Sequence, residues 1–177
     1  MLAQIWVNLP KDHKMKKPRY QGIDASIIPV VHLYSEGKQS ECSQGQPAAE
    51  ARVIAGSLEG TVGPAQTVTP IEMWDVRVGI PGDKIKLPVP EGHNVMLLVR
   101  QGGLRLAAEE REVQAPVLIT FERTGGCIEL SATEADTQML ILAGEPIDEP
   151  IAARGPFVMN TQEEIIQANQ DYRNGKM

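Results

Sequence analysis

Ile71-Glu72-Met73-Trp74-Asp75-Val76-Arg77-Val78 is the stretch whose reading decides the fold. Apolar and polar residues alternate along it, and the phase slips once. Ile71 and Met73 share one side, then Trp74, Val76 and Val78 take that side over. The slip predicts a β-bulge at Met73–Trp74 in an otherwise half-buried strand. Working outward, Pro81-Gly82-Asp83 is a turn, Ile85, Leu87 and Val89 alternate again, and Pro90-Glu91-Gly92 turns once more. His93–Arg100 encloses the run Val95-Met96-Leu97-Leu98-Val99, closed by Gln101-Gly102-Gly103. Leu104–Leu106, Val113–Phe121, Cys127–Leu130 and Gln138–Leu142 complete the set, with breaks at Gly125-Gly126 and Gly144-Glu145-Pro146. Short β-rich runs separated by turn signals at intervals of about 8–12 residues predict an antiparallel sandwich or barrel between Pro70 and Glu145.

Bulk properties exclude several classes. The 177 residues make one domain with appendages, a length that buries about 70% of the unfolded surface. Hydrophobic residues at 42% and charged residues at 23% are ordinary for a soluble globular chain, while 4% aromatics leave the core to Val, Leu and Ile. A net charge of −6 and a pI near 5.1 argue against nucleic acid as a general partner. The two cysteines, Cys42 and Cys127, are too few for a disulfide scaffold and fit a reducing cytoplasm. No apolar run approaches the ~18 residues of a membrane span, and the N-terminus lacks the charged-then-apolar pattern of a signal peptide.

Ala3-Gln4-Ile5-Trp6-Val7-Asn8-Leu9 reads as a strand, with an edge that begins abruptly. Lys11–Arg19 sets five cations against Asp12, and without an aromatic platform or glycine loop it reads as a solvated loop rather than an anion or nucleic-acid contact. Ile27–Tyr34 is an edge strand, because Pro29 cannot donate to a ladder. Ser35–Glu50 is a polar loop, and Ala51–Leu58 is another strand. Pro146–Pro156 is an extended tail. The one helix is last: Thr161 and Glu164 form a capping box, Ile165, Ala168 and Tyr172 share a face, and Gly175 stops it. At about three turns it must dock to persist.

Isolated chemical candidates are weak. Glu109-Glu110-Arg111-Glu112 reads as a solvated hairpin loop, not a carboxylate pair. Glu145, Asp148 and Glu149 read as residues that dock the tail, since catalytic carboxylates need burial to tune them. Cys127 reads as a buried strand cysteine, Cys42 as an exposed thiol, and Trp6 and Trp74 as core or interface residues rather than walls of a flavonoid-like pocket.

Two stretches resemble the pirin family. Gln4-Ile-Trp-Val-Asn-Leu-Pro10 with Lys14-Met15 and Pro18-Arg-Tyr-Gln21 is similar to the middle of pirins. Leu142-Ala-Gly-Glu-Pro-Ile-Asp-Glu-Pro150, Gly155-Pro-Phe-Val-Met-Asn-Thr-Gln-Glu-Glu-Ile165 and Asp171-Tyr-Arg-Asn174 resemble the family's C-terminal signature. The resemblance implies an all-β cupin, a double-stranded β-helix barrel with a short C-terminal helix. It divides the chain into residues 1–24 (remnant strand and basic linker of a missing N-terminal cupin), 25–150 (C-terminal cupin barrel) and 151–177 (extended tail and helix). Pirins are bicupins whose first barrel holds iron or a similar divalent metal through three histidines and a glutamate, and some members are quercetin 2,3-dioxygenases. The resemblance places those ligands before Met1.

A cupin ligand pattern counted from Gly82 falls on Pro88 and Pro90, then Asn94 or Val95, with Gly102 closing it. Proline carries no metal donor, and no histidine follows His93. His13, His32 and His93 sit in a basic loop, an edge strand and a turn. The expectation is therefore no catalytic, cofactor-binding or metal-binding residue in this chain. It is a cytoplasmic binding or interaction module, without nucleic acid or membrane as partner, that associates through the Gln4–Leu9 region either with the missing cupin half or with itself, in the latter case through Ile5, Trp6 and Val7. The alternative is a quercetin 2,3-dioxygenase-type pirin that acts only with the missing N-terminal cupin.

Overall fold

The computed structural model describes residues 3–35, 46–107 and 111–176. Within them the chain forms two compact units, one of residues 21–146 and one of residues 1–20 with 147–177.

The larger unit is built of β-strands, preceded by one 3-10 turn at Ala25–Ile27. Its strands are β1 (Val30–Leu33), β2 (Ala49–Ala55), β3 (Ser57–Leu58), β4 (Thr61–Val62), β5 (Ile71–Val78), β6 (Lys84–Pro88), β7 (Asn94–Gln101), β8 (Gly103–Leu106), β9 (Arg111–Gln114), β10 (Val117–Phe121), β11 (Cys127–Ala132) and β12 (Thr137–Gly144). Six of them make one antiparallel sheet in the order β1-β2-β5-β12-β7-β10. Four make a second, in the order β6-β11-β8-β9. A single aliphatic core joins the inner faces of both. The smaller unit holds a one-turn helix α1 (Lys11–Lys14), the hairpin β13 (Ala152–Arg154) and β14 (Phe157–Met159), and the helix α2 (Gln162–Arg173).

Strand alternation places whole rows of side chains inward. Val53, Trp74, Ile141, Leu97 and Ile119 are successive register partners across the large sheet. Trp74 is 1% exposed and Leu97 and Ile141 are fully buried. Ala51, Val76, Met139, Val99 and Val117 make the neighbouring row. At the β7–β8 corner Gly102 has φ +73°, and a Cβ there would sit 2.5 Å from Thr137 Oγ1. That buried hydroxyl shares its one proton between the carbonyls of Glu134 (2.8 Å) and Gly103 (3.1 Å), tying the corner to the start of β12.

The bulge predicted at Met73–Trp74 lies on the partner strand. β5 stays in continuous register with β12, whereas Val53 pairs with Trp74 and Ala55 with Met73, leaving Ile54 of β2 as the extra residue. The phase change in β5 has a different cause. Ile71, Glu72 and Met73 are all half-buried, so the start of the strand has no wholly interior side.

Pro29 immediately precedes β1, which is the edge of its sheet. Gln4–Leu9 is not a strand: it is coil, because none of its backbone groups joins a ladder among the described residues. Val113–Phe121 is two strands, interrupted at the cis Ala115–Pro116 peptide. The tail contains the β13–β14 hairpin, turned at Gly155 with φ +59°.

The expected capping box of α2 forms in full. Glu164 N–H donates to Thr161 Oγ1 at 3.2 Å, and the Glu164 carboxylate accepts from the backbone N–H of Thr161 (3.0 Å) and Asn160 (2.9 Å). Ile165 and Ala168 bury, and Tyr172 packs edge-on against Phe157 with ring centroids 5.9 Å apart. No helix among the described residues is long and apolar enough to cross a membrane.

Candidate binding site

The positions that a metal-binding cupin would use come first. Pro88 and Pro90, picked out by counting from Gly82, are both exposed, so the count lands on the outer face. Alternation along β6 and beyond turns Ile85, Leu87 and Val89 inward instead, each at most 8% exposed. Across the core stand Val95, Leu97 and Val99. These interior side chains are alkyl groups with no lone pair to offer a cation.

The histidines do not compensate. His13 lies in α1 with Lys16 Nζ 3.2 Å from its Nδ1. His32 lies on β1 with its Nδ1 3.8 Å from Glu50. His93 lies in the turn before β7, where its Nδ1 is buried without a hydrogen-bond partner. Beside it is a void of about 40 Å³ bordered by Val89, Phe121, Glu122 and Cys127. Among the described residues no three His, Cys, Asp or Glu side chains are placed to share a metal. The residues present do not fit the iron centre that the resemblance implies for the family's first barrel.

Cys127 is exposed, not buried as its sequence setting suggested. It pairs with Pro88 on the outer side of the ladder, so its neighbour Ile128 takes the inner side opposite Leu87. Cys42, Glu109 and Glu110 lie outside the described residues. Arg111 and Glu112, expected in a solvated loop, belong to β9. Arg105 on β8 pairs with Glu112, its guanidinium Nε donating at 3.0 Å. Of the docking carboxylates, Glu149 performs the expected role: its Oε2 accepts from the Lys11 backbone N–H (2.8 Å) and from the Asn160 amide (2.9 Å).

Among the described residues, shifted carboxyls occur at the surface. Two of them belong to Asp24 and Glu163. The Ser26 backbone N–H and hydroxyl hold Asp24 below its ordinary value. Glu163 is lowered by its own backbone N–H and by the Thr161 hydroxyl. These are turn and cap interactions with no catalytic partner.

Two of the concavities among the described residues have several apolar side chains in their walls. In the smaller unit a groove of about 600 Å³ is walled by Ile5, Trp6, Val7, Met15, Phe157 and Met159. Trp6 is 66% exposed there, whereas Trp74 is a core residue at 1%.

In the larger unit a cleft of about 770 Å³ opens where β9 and β10 end their respective sheets without pairing to each other. Val113, Val117, Ile119 and Phe121 are only half-buried against the core there. The inner rows of the small sheet run out into this cleft. One consists of Ala132, Leu104 and Val113; the other of Ile85, Leu130, Leu106 and Arg111. The second row thus ends in a guanidinium where three aliphatic positions precede it. Sequence reasoning missed Arg111 because Glu109, Glu110 and Glu112 surround it with charge. Its two-residue spacing from Val113 was the available signal.

Comparison with known proteins bears on the whole arrangement. The profile of the Pirin C-terminal cupin domain matches residues 73–177. A Pseudomonas aeruginosa protein that carries the provisional name quercetin 2,3-dioxygenase is 41% identical over 176 residues, covering 99% of this chain and 56% of that protein. The human protein named Pirin is 29% identical over 175 residues, again with 56% of its length covered. The crystal structure titled quercetin 2,3-dioxygenase from Acinetobacter baumannii superposes with a TM-score of 0.84 at 37% identity, covering 97% of this chain and 55% of that one. The chain thus spans about half the length of the relatives it matches. With the C-terminal cupin profile accounting for more than half of its residues, the chain belongs to the pirin family.

Proposed function

We propose that this chain corresponds to the metal-free cupin half of a pirin and works as a binding and interaction module without catalysis of its own. One observation carries the reading: alternation turns Leu87, Val89 and Val95 into the interior, where a metallocupin needs imidazole and carboxylate. Self-association fits the groove of the smaller unit. There Ile5, Trp6 and Val7 are 38%, 66% and 49% exposed on coil, so apolar side chains rather than a free strand edge supply the contact. The occupant proposed is a second copy of the chain, in a two-fold arrangement. Light scattering across a concentration series is expected to show a dimer that Trp6→Ala weakens; a monomer at the highest concentration counts against the contact.

The test of the central reading is metal content. Mass spectrometry for iron, nickel and copper on the purified chain is expected to find far less than one atom per chain, and quercetin turnover is expected to be nil. Near-stoichiometric metal rejects the proposal. A second reading rests on the greater length of the relatives. Paired with a barrel that carries the iron ligands, this chain would take part in quercetin 2,3-dioxygenase-type chemistry. Metal-dependent turnover that appears only on adding such a barrel favours it.

A further inference from the structure

We propose that the seam between β9 and β10 is a small-molecule site for a mainly apolar, flat molecule bearing one anionic group, with Arg111 as the anion's partner. The inference deepens the binding-module reading by naming a ligand class, and it rests on that reading.

Three observations converge on it. First, the cleft has the size of a ligand site: about 770 Å³, against roughly 300–1,000 Å³ for small-molecule pockets generally. Second, its walls are the unfinished edge of the core. Val113 on one side and Val117, Ile119 and Phe121 on the other are half-buried, with Leu106 and Ile128 behind them. An apolar guest there would complete rows that otherwise end in water. Third, the charge is placed by register. Arg111 is the direct partner of buried Leu106 and occupies the same inner row, yet no carboxylate among the described residues pairs with it. The two other charged groups lining the cleft are carboxylates. Glu129 is engaged by Lys86 at 3.0 Å, and Glu122 follows Phe121 on the β10 side.

This arrangement defines the guest. A planar guanidinium favours a carboxylate or sulfonate that accepts two parallel hydrogen bonds. Glu122 repels a second negative charge, so a monoanion fits and a dianion does not. The net charge of −6 opposes anions at long range, but screening over ~8 Å at physiological salt leaves the short contact to decide. Phe121 adds an aromatic face against which a flat ring packs.

The probe is 2-naphthoate, with 2-naphthalenemethanol as its uncharged counterpart, titrated into the full chain by calorimetry and by amide-shift mapping. Naphthoate is expected to bind one to one, with shifts confined to the cleft lining on β9, β10, the turn after β10 and the adjoining ends of β8 and β11. Naphthalenemethanol is expected to bind about tenfold more weakly, the scale of one lost charge-assisted contact. Arg111→Ala should remove that tenfold for naphthoate and leave naphthalenemethanol unchanged. Arg111→Lys should retain part of it, and Glu122→Gln should tighten naphthoate. Arg111 is exposed and packs no core, so the variants stay folded.

Absence of binding at about 1 mM naphthoate, shifts mapping to the Ile5–Met15 groove, or affinity indifferent to Arg111→Ala would each overturn the proposal. Its failure is separable from failure of the binding-module reading. Metal content and quercetin turnover test that reading, and neither depends on naphthoate.

Discussion

Isoleucines 141 and 119 lie in one inner row, separated by Leu97, and the structure assigns them different costs on truncation to alanine. Ile141 is fully buried between Trp74 and Leu97. Ile119 ends the row on β10 and lines the open cleft. Ile→Ala removes three methylene equivalents, about 2.4 kcal/mol of transfer free energy at ~0.8 kcal/mol each. At Ile141 the packed neighbours cannot collapse onto the space, so a cavity contribution of about 1.6 kcal/mol is added and the loss is about 4 kcal/mol. At Ile119 the side chain is half in water and the space left is open to solvent, so about half the transfer value and no cavity contribution remain, about 1 kcal/mol.

The difference of about 3 kcal/mol corresponds to roughly 10 °C in midpoint temperature for a domain of this size. The assay is urea and thermal unfolding followed by tryptophan fluorescence in a Trp6→Phe background. Buried Trp74 then reports the larger unit alone. Costs within about 0.5 kcal/mol of each other, in place of the expected difference of about 3 kcal/mol, would refute the idea that the sandwich is unfinished at β10. The proposed ligand site would lose its physical basis with it.

Two further outcomes follow. Glu149→Ala removes the carboxylate that accepts from both the Lys11 N–H and the Asn160 amide. The N-terminal segment should then be cleaved faster in limited proteolysis, with the fluorescence of Trp74 unchanged; unaltered cleavage of residues 3–20 would refute the tie. Asp136 is held below its ordinary value of 3.8, first by the amide of Gln138 and then by Arg77 and Gln101. A depressed folded pKa means stability that is present above the unfolded value and lost as pH falls through the folded one, here below about pH 4. Gln138→Ala should therefore raise the carboxyl titration midpoint of Asp136 followed by NMR, and an unmoved midpoint would exclude that cause.

Several elements were legible in the chain alone because their causes are local. Two-residue alternation at Ile85, Leu87 and Val89 needs only a sheet with one dry face. The Thr161–Glu164 box closes within one helical turn, and both of its hydrogen bonds form. Pro29 marks a strand edge because it lacks an N–H. The family signature from Leu142 to Asn174 lies within the matched profile.

Other features depended on partners distant in sequence. The extra residue of the bulge is Ile54, because register is a property of a strand pair and the phase of β5 cannot say which member absorbs it. Pro88 and Pro90 face outward because the pairing of Ile85 with Leu130 fixes which side of β6 is inner, whereas a count from a glycine does not. Gln4–Leu9 has a strand's composition but no ladder to join among the described residues, so it remains coil.

Arg111 is the clearest case. Its neighbours in sequence make it look like surface charge, and only its pairing with Leu106 puts it at the end of an apolar row. The sequence by itself determined the strand periodicity, the helix cap and the aliphatic character of the interior, since each follows from side chains a few residues apart. Tertiary structure decided which rows are complete and which are left open, because a row is built from strands that meet only when the sheet assembles.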